Sequence, residues 1–141
     1  VEGAGQRELL RALASRLPAH AGTVEHPDVV GFVPEDRHRD AVVLDFTLAE
    51  NVALREAGAM RGWVRWRARA REVAGLLAAH DVRAPGPGAP MRALSGGNQQ
   101  KLVLARELAA RPRALVAENP ARGLDIRAAA AVFERLRAAA G

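Results

Sequence analysis

Leu94-Ser95-Gly96-Gly97-Asn98-Gln99-Gln100-Lys101 opens a helical pattern, and Ala114-Leu115-Val116-Ala117-Glu118-Asn119-Pro120-Ala121-Arg122-Gly123-Leu124-Asp125 follows it. These two stretches decide the fold. In the first, Ser95 is placed to cap a helix, and two adjacent glycines let a ligand approach the backbone. Exposed amides at the positive end of a helix dipole suit an anionic phosphate. A flexible helix start is the plainer reading of the same residues. In the second stretch a short apolar run ends on an acid, Glu118. Acids at the C-terminal end of a buried parallel strand sit where open α/β sheets bind ligands, and a surface turn is the plainer alternative.

Working outward, the spacing predicts a helix from about Ser95 to Arg111, a strand at Ala114 to Ala117, a turn at Asn119 to Gly123 and a last helix from about Arg127. Upstream, the Pro/Gly-rich run between Asp81 and Pro90 reads as an exposed connector. A helix is expected from about Val64 to His80. Thr47-Leu48-Ala49-Glu50 has the form of a capping box that starts another helix. Asp28 to Pro34 is β-branched and bounded by Pro27 and Pro34, so it reads as a short buried strand leading into the charged turn 35–40. Leu9, Leu10, Leu13 and Leu17 fall on one stripe of a helix from Gln6 to Leu17, closed by Pro18. Strands alternating with helices imply a mostly parallel α/β sheet, with residues 37–94 a helical insertion.

The 141 residues, 49% of them hydrophobic, suffice for one domain with a packed core. Without cysteine there is no disulfide framework, thiol nucleophile or zinc–thiolate site. No apolar run approaches the ~20 residues of a membrane span, and no signal-peptide pattern opens the sequence. The net charge is +5. Compositional drift toward arginine explains most of it, but Arg61-Gly62-Trp63-Val64-Arg65-Trp66-Arg67-Ala68-Arg69-Ala70-Arg71 carries five arginines and no acid. Trp63 and Trp66, at i and i+3, are expected to cover one side of the helical insertion while the arginines are solvated. His20, His26, His38 and His80 have no metal-like spacing, and no metal site is assigned.

Leu94 to Lys101 resembles the signature motif of ABC-type ATPases, and Leu115 to Asp125 resembles their Walker B strand and D-loop. Val30 to Arg39, with Leu44 to Val52, is similar to the Q-loop region in the second nucleotide-binding half of simple-sugar and nucleoside importers. Val1-Glu2-Gly3-Ala4-Gly5-Gln6-Arg7 resembles a phosphate loop whose first glycine falls just before Val1. The resemblance implies an ABC-type P-loop NTPase core that is incomplete here, in a chain that is a segment of a longer polypeptide. Residues 1–36 would be the first part of the core, 37–94 the helical subdomain, and 95–141 the signature helix, Walker B strand, D-loop and following helix.

The same resemblance assigns nucleotide-binding positions to Gly3, Gly5, Gln6, Arg7, Ser95, Gly96, Gly97 and Gln99. It places Glu35 where the Q-loop glutamine stands, and Leu124 and Asp125 in the D-loop. Glu118 takes the Walker B aspartate position and Asn119 that of the glutamate that polarises water. Gln6 and Arg7 replace the phosphate-loop Lys and Ser/Thr, and an amide at Asn119 cannot act as general base. The implied protein is a catalytically degenerate half that lends its signature motif to the ATP of its partner half. ATP and Mg²⁺ would serve the complete transporter. Its partners would be the other ATP-binding half, a membrane permease and, indirectly, a substrate-binding protein, at the cytoplasmic face of the membrane. Two alternatives are an Arg/Trp-rich nucleic-acid-binding module and a soluble ABC ATPase outside transport.

Overall fold

The computed structural model describes residues 4–139. In chain order the elements are α1 (Gln6–Leu13), β1 (Val30–Val33), α2 (Arg37–Asp40), α3 (Leu48–Ala53), α4 (Trp66–Ala79), α5 (Gly96–Ala109), β2 (Ala114–Ala117) and α6 (Ile126–Ala139). The two strands pair in parallel, with Val30 opposite Ala114 and Val33 opposite Ala117. As a parallel pair requires, the connection between them carries helices, and α2, α3, α4 and α5 all lie within it.

The core forms where α3, α4 and α5 meet β1. Val33, Leu48, Val73, Met91, Leu102, Val103 and Leu104 are almost wholly buried there, and Val132 brings in α6. Thr47 starts α3 through the capping box: its hydroxyl accepts from Glu50 N, and the Glu50 carboxylate accepts from Thr47 N at 2.7 Å. Those bonds hold the Glu50 carboxyl below its ordinary pKa. The Pro/Gly run is the irregular connector that its composition suggests, exposed or half-exposed from residue 83 to 90, and it has a second role. It folds back over α3, where Leu48 N donates to Ala89 O and Ala49 N to Pro87 O, satisfying two amides that a helix start leaves orphaned.

Asn51, 1% exposed, clamps the loop before α3. Its Oδ1 accepts from Val43 N at 2.8 Å, and its Nδ2 lies within hydrogen-bond distance of the carbonyls of Val43, Phe46 and Thr47. Asn51→Ala is expected to destabilise the chain by about 3 kcal/mol in urea unfolding, because a buried amide and its carbonyl partners lose their bonds together. A loss below about 1 kcal/mol would mean that water replaces the clamp.

One helix end differs clearly from the sequence expectation, and the helices end in a common way. Helix α1 stops at Leu13, not Leu17, because Ser15 turns left-handed (φ 57°) and closes a Schellman motif, with Ser15 N bonded to Ala12 O and Arg16 N to Arg11 O. Asp81 (φ 49°) ends α4 the same way, with Val82 N on Leu77 O. Arg111 (φ 48°) ends α5, and Pro112 has no N–H to continue the pattern. The leucine stripe is only partly covered, since Leu9, Leu13 and Leu17 remain exposed. The charged turn after β1 is a short helix, α2, capped by Asp36, whose carboxylate accepts from His38 N and Arg39 N. Trp63 precedes α4 and is wholly exposed, and Trp66 is 46% exposed, so the pair does not cover the helical subdomain.

Candidate functional site

Both strands run in the same direction and deliver their C-terminal ends to one place. Beyond Val33 come Pro34 and Glu35; beyond Ala117 come Glu118 and Asn119. The N-terminus of α1 meets them there. Gly5, Gln6, Arg7, Glu8, Leu10, Glu35, Glu118 and Asn119 line a cleft of about 420 Å³ at the position where parallel sheets place ligands. Gly5 enters α1 with φ 81°, a conformation few residues other than glycine adopt readily. Gly3 lies outside the described residues. A larger cavity, about 870 Å³, runs between β2 and α6 past Leu108, Leu115, Arg135 and Leu136, and none of the sequence-predicted site residues borders it.

Glu118 is buried, and its charge is met by Arg11 of α1: Nε lies 2.9 Å from Oε1 and an Nη lies 3.2 Å from Oε2. The same guanidinium reaches Asp40 at 2.5 Å and sits over the Phe32 ring, 5.8 Å from its centroid. Hydrogen bonds that Arg11 donates to Glu118 and Asp40 push its pKa further up. Burial raises the Asp40 carboxyl, but the hydrogen bonds from Arg11 and Arg39 outweigh it and leave the group below its ordinary value. Arg7, one turn before Arg11, approaches Asp40 at 3.7 Å. Glu35 N points to Glu118 Oε2 at 3.5 Å, and the Glu35 carboxylate accepts from Asn119 Nδ2 at 3.2 Å and pairs with Arg122 at 3.0 Å.

This set does not fit a divalent cation. Both oxygens of Glu118 face a guanidinium, Arg7 brings a second cation to the cleft, and Asn119 offers a neutral amide that bonds to Glu35. Among the described residues no group of three or more acids and histidines could hold a metal ion.

The second group of predicted residues lies apart from the cleft lining. Ser95 caps α5, its hydroxyl accepting from Asn98 N at 3.5 Å and Asn98 Nδ2 at 3.1 Å, and Gln99 N makes the first intrahelical bond to Ser95 O. The amides of Gly96 and Gly97 precede that bond and have no intrahelical acceptor. Both glycines are also tight: a Cβ on Gly96 would stand 2.8 Å from an Arg37 Nη, and one on Gly97 3.0 Å from the Ala128 Cβ of α6. Gln99 is buried, with its amide spent on protein partners. Its Oε1 meets His38 Nε2 at 2.7 Å and Arg37 Nε at 3.3 Å, and its Nε2 donates to Met91 O and Leu94 O. Asp125 caps α6 by accepting from Ala128 N at 2.9 Å, while Leu124 packs on the core.

Two arginines that sequence reasoning passed over organise these groups. Arg11 repeats Arg7 at i+4, a spacing that puts both cations on one face of α1 and could have been read as a paired-charge stripe. Arg37 bridges Gln99 of α5 and, through Arg122 O at 3.5 Å, the turn after β2. No local pattern marks that bridge, because its partners lie 62 and 85 residues away.

The fold is that of an ABC-type ATPase cassette. It superimposes on a putative metal-chelate type ABC transporter with a TM-score of 0.76 at 20% identity, covering 96% of this chain and 54% of that one. The ATP-binding cassette MJ0796, as a post-hydrolysis dimer with ADP and phosphate, gives a TM-score of 0.74 at 22% identity, with 97% of this chain and 65% of that one covered. The sequence profile described as ABC transporter matches residues 1–122. The chain belongs to that family. Among its relatives are the nucleoside import ATP-binding protein NupA of Lactococcus lactis, 34% identical over 96% of this chain, and the guanosine import ATP-binding protein NupO of Bacillus subtilis, 32% identical over 96%. The ribose import ATP-binding protein RbsA 1 of Burkholderia thailandensis is 36% identical over 94% of this chain. The chain spans 30% of the length of the first two and 26% of the third.

Proposed function

We propose that this chain is a segment of the ATP-binding subunit of an importer for simple sugars or nucleosides, and that it supplies the signature motif to the ATP held by a partner half. The observation that carries the reading is the contrast between its two groups of residues. Ser95, Gly96 and Gly97 open a 14-residue helix with their amides unspent inside it, the arrangement that favours a phosphate. The cleft that would hold the chain's own nucleotide has Gln6 and Arg7 at its mouth, Glu118 neutralised by Arg11, and an amide where a general base is needed.

In this reading Ser95 and the amides of Gly96 and Gly97 contact the γ-phosphate of the partner's ATP, and Asp125 and Leu124 order the interface between halves. Glu35, beside the helical subdomain, faces a membrane permease, and a substrate-binding protein delivers the solute. ATP and Mg²⁺ act in the complete transporter, at the other half's site. The subunit works as a peripheral protein at the cytoplasmic face. No helix among the described residues is long and apolar enough to cross a membrane.

Steady-state turnover of this chain by itself tests the degenerate site. No ATP hydrolysis above blank is expected, and Asn119→Glu alone is expected to restore none, since a base without positioned phosphates has nothing to act on. Hydrolysis by the purified chain that survives removal of contaminating ATPases would overturn the assignment.

A further inference from the structure

The arginine- and tryptophan-rich run singled out in the sequence takes no part in either group of site residues. It occupies the approach to α4 and the first turns of that helix. Trp63 is 100% exposed and Trp66 46%. Gly62, with φ 75°, turns the backbone just before Trp63. A fully solvated indole leaves its large apolar face in water, which marks a contact surface when it stands in a patch rather than singly.

The charge around it is uncompensated. Between residues 56 and 80 the sequence has two acids, Glu56 and Glu72. Both pair with Arg69, at 2.5 and 3.4 Å. Arg61, Arg65, Arg67 and Arg71 are exposed and take part in none of the ion pairs found among the described residues. Arg67 and Arg71, four apart on α4, share one side of the helix.

We propose that this face binds an anionic lipid surface, with Trp63 and Trp66 at headgroup depth and the four arginines on lipid phosphates. Indoles concentrate at the membrane–water interface, and cations next to them are drawn by the negative potential of an acidic leaflet. Trp63 protrudes with no wall beside it, the geometry of an inserting anchor, whereas single-stranded nucleic acid is held in a charged groove with aromatic platforms. The inference goes beyond the import reading and can fail separately from it, because lipid binding needs no ATP, no permease and no partner half.

These two tryptophans are the only ones in the chain, so intrinsic fluorescence reports this face alone. The probes are phosphatidylcholine vesicles with and without equimolar phosphatidylglycerol. A blue-shifted, saturable signal is expected with the acidic vesicles only, and it should vanish in molar salt, where the Debye length falls to about 3 Å. Arg65→Gln with Arg67→Gln should lower partitioning by about thirtyfold, roughly fivefold per arginine. If that double variant loses its helical circular dichroism, Trp63→Ser carries the test instead, since its wholly exposed side chain supports no packing; weakened cosedimentation with acidic vesicles is then expected. Equal binding to neutral vesicles, or none to acidic ones, overturns the proposal. So does a single-stranded oligodeoxynucleotide that saturates the same signal at lower phosphate concentration than the lipid, an outcome that would assign the face to nucleic acid.

Discussion

Ser95→Asp in the complete ATP-binding protein is expected to cut transport-coupled ATP hydrolysis by about 10²–10³-fold, the usual effect of losing a preorganised contact to developing charge. Aspartate caps a helix about as well as serine, so α5 should still start at Gly96. Ser95 is exposed, and the substitution asks for no new space. A negative charge then stands where the partner's γ-phosphate is proposed to dock. Gly97→Asp is a less clean change, because a Cβ there meets Ala128 at 3.0 Å and mixes packing with electrostatics. The matched control is Arg7→Ala. Arg7 has a 40% exposed side chain and a 3.7 Å approach to Asp40, and it borders the cleft proposed to be degenerate. Turnover should therefore stay within about threefold of the parent, as for loss of a weak exposed ion pair. The two variants are read together in proteoliposomes. Normal hydrolysis in Ser95→Asp with loss in Arg7→Ala would place the working site in this half and refute the asymmetry.

The parts of this architecture that depend on short-range chemistry could be read from the sequence. Ser95 and the Thr47–Glu50 box each satisfy their amides within four residues, so their geometry is written in spacing alone. The strands at Ala114 to Ala117 and around Val30 were legible because each is a short apolar run bounded by proline or charge. The end of α1 was not legible, because Ser15 turns left-handed without being glycine and Schellman bonding holds it there; α4 and α5 end close to where the sequence put them, before left-handed Asp81 and Arg111. The cleft was half legible: its acid and amide could be placed, but Arg11 meets Glu118 across 107 residues and no periodicity encodes such a pair. Composition placed residues 81–90 correctly as an irregular surface connector, but nothing in it showed that the carbonyls of Pro87 and Ala89 close the start of α3.

Glu107→Ala is expected to produce the largest loss of stability, about 3–5 kcal/mol, because it leaves buried cations without their counter-charge. Glu107 is 2% exposed on α5. Its Oε1 accepts from Arg106 Nε at 3.1 Å, and its Oε2 accepts from Arg55 at 2.5 Å and from Phe32 N at 3.3 Å. Arg106 is itself buried and donates to Ala41 O and Asn51 O, while Arg55 also reaches Val30 O. Burial pushes the Arg106 guanidinium below its ordinary pKa, and the Glu107 charge works against that. One carboxylate on α5 thus joins Arg55, in the turn after α3, to β1, the strand that carries Glu35 into the cleft. Removing it strands two guanidinium groups and a strand amide at once. Replacing Arg106 by Met in the same chain should recover part of the loss, since an apolar side chain needs no counter-charge. Urea unfolding followed by circular dichroism measures both. A single-variant loss under about 1 kcal/mol, or no recovery in the double variant, would show that water already shares these charges and that the network does not hold β1 in place.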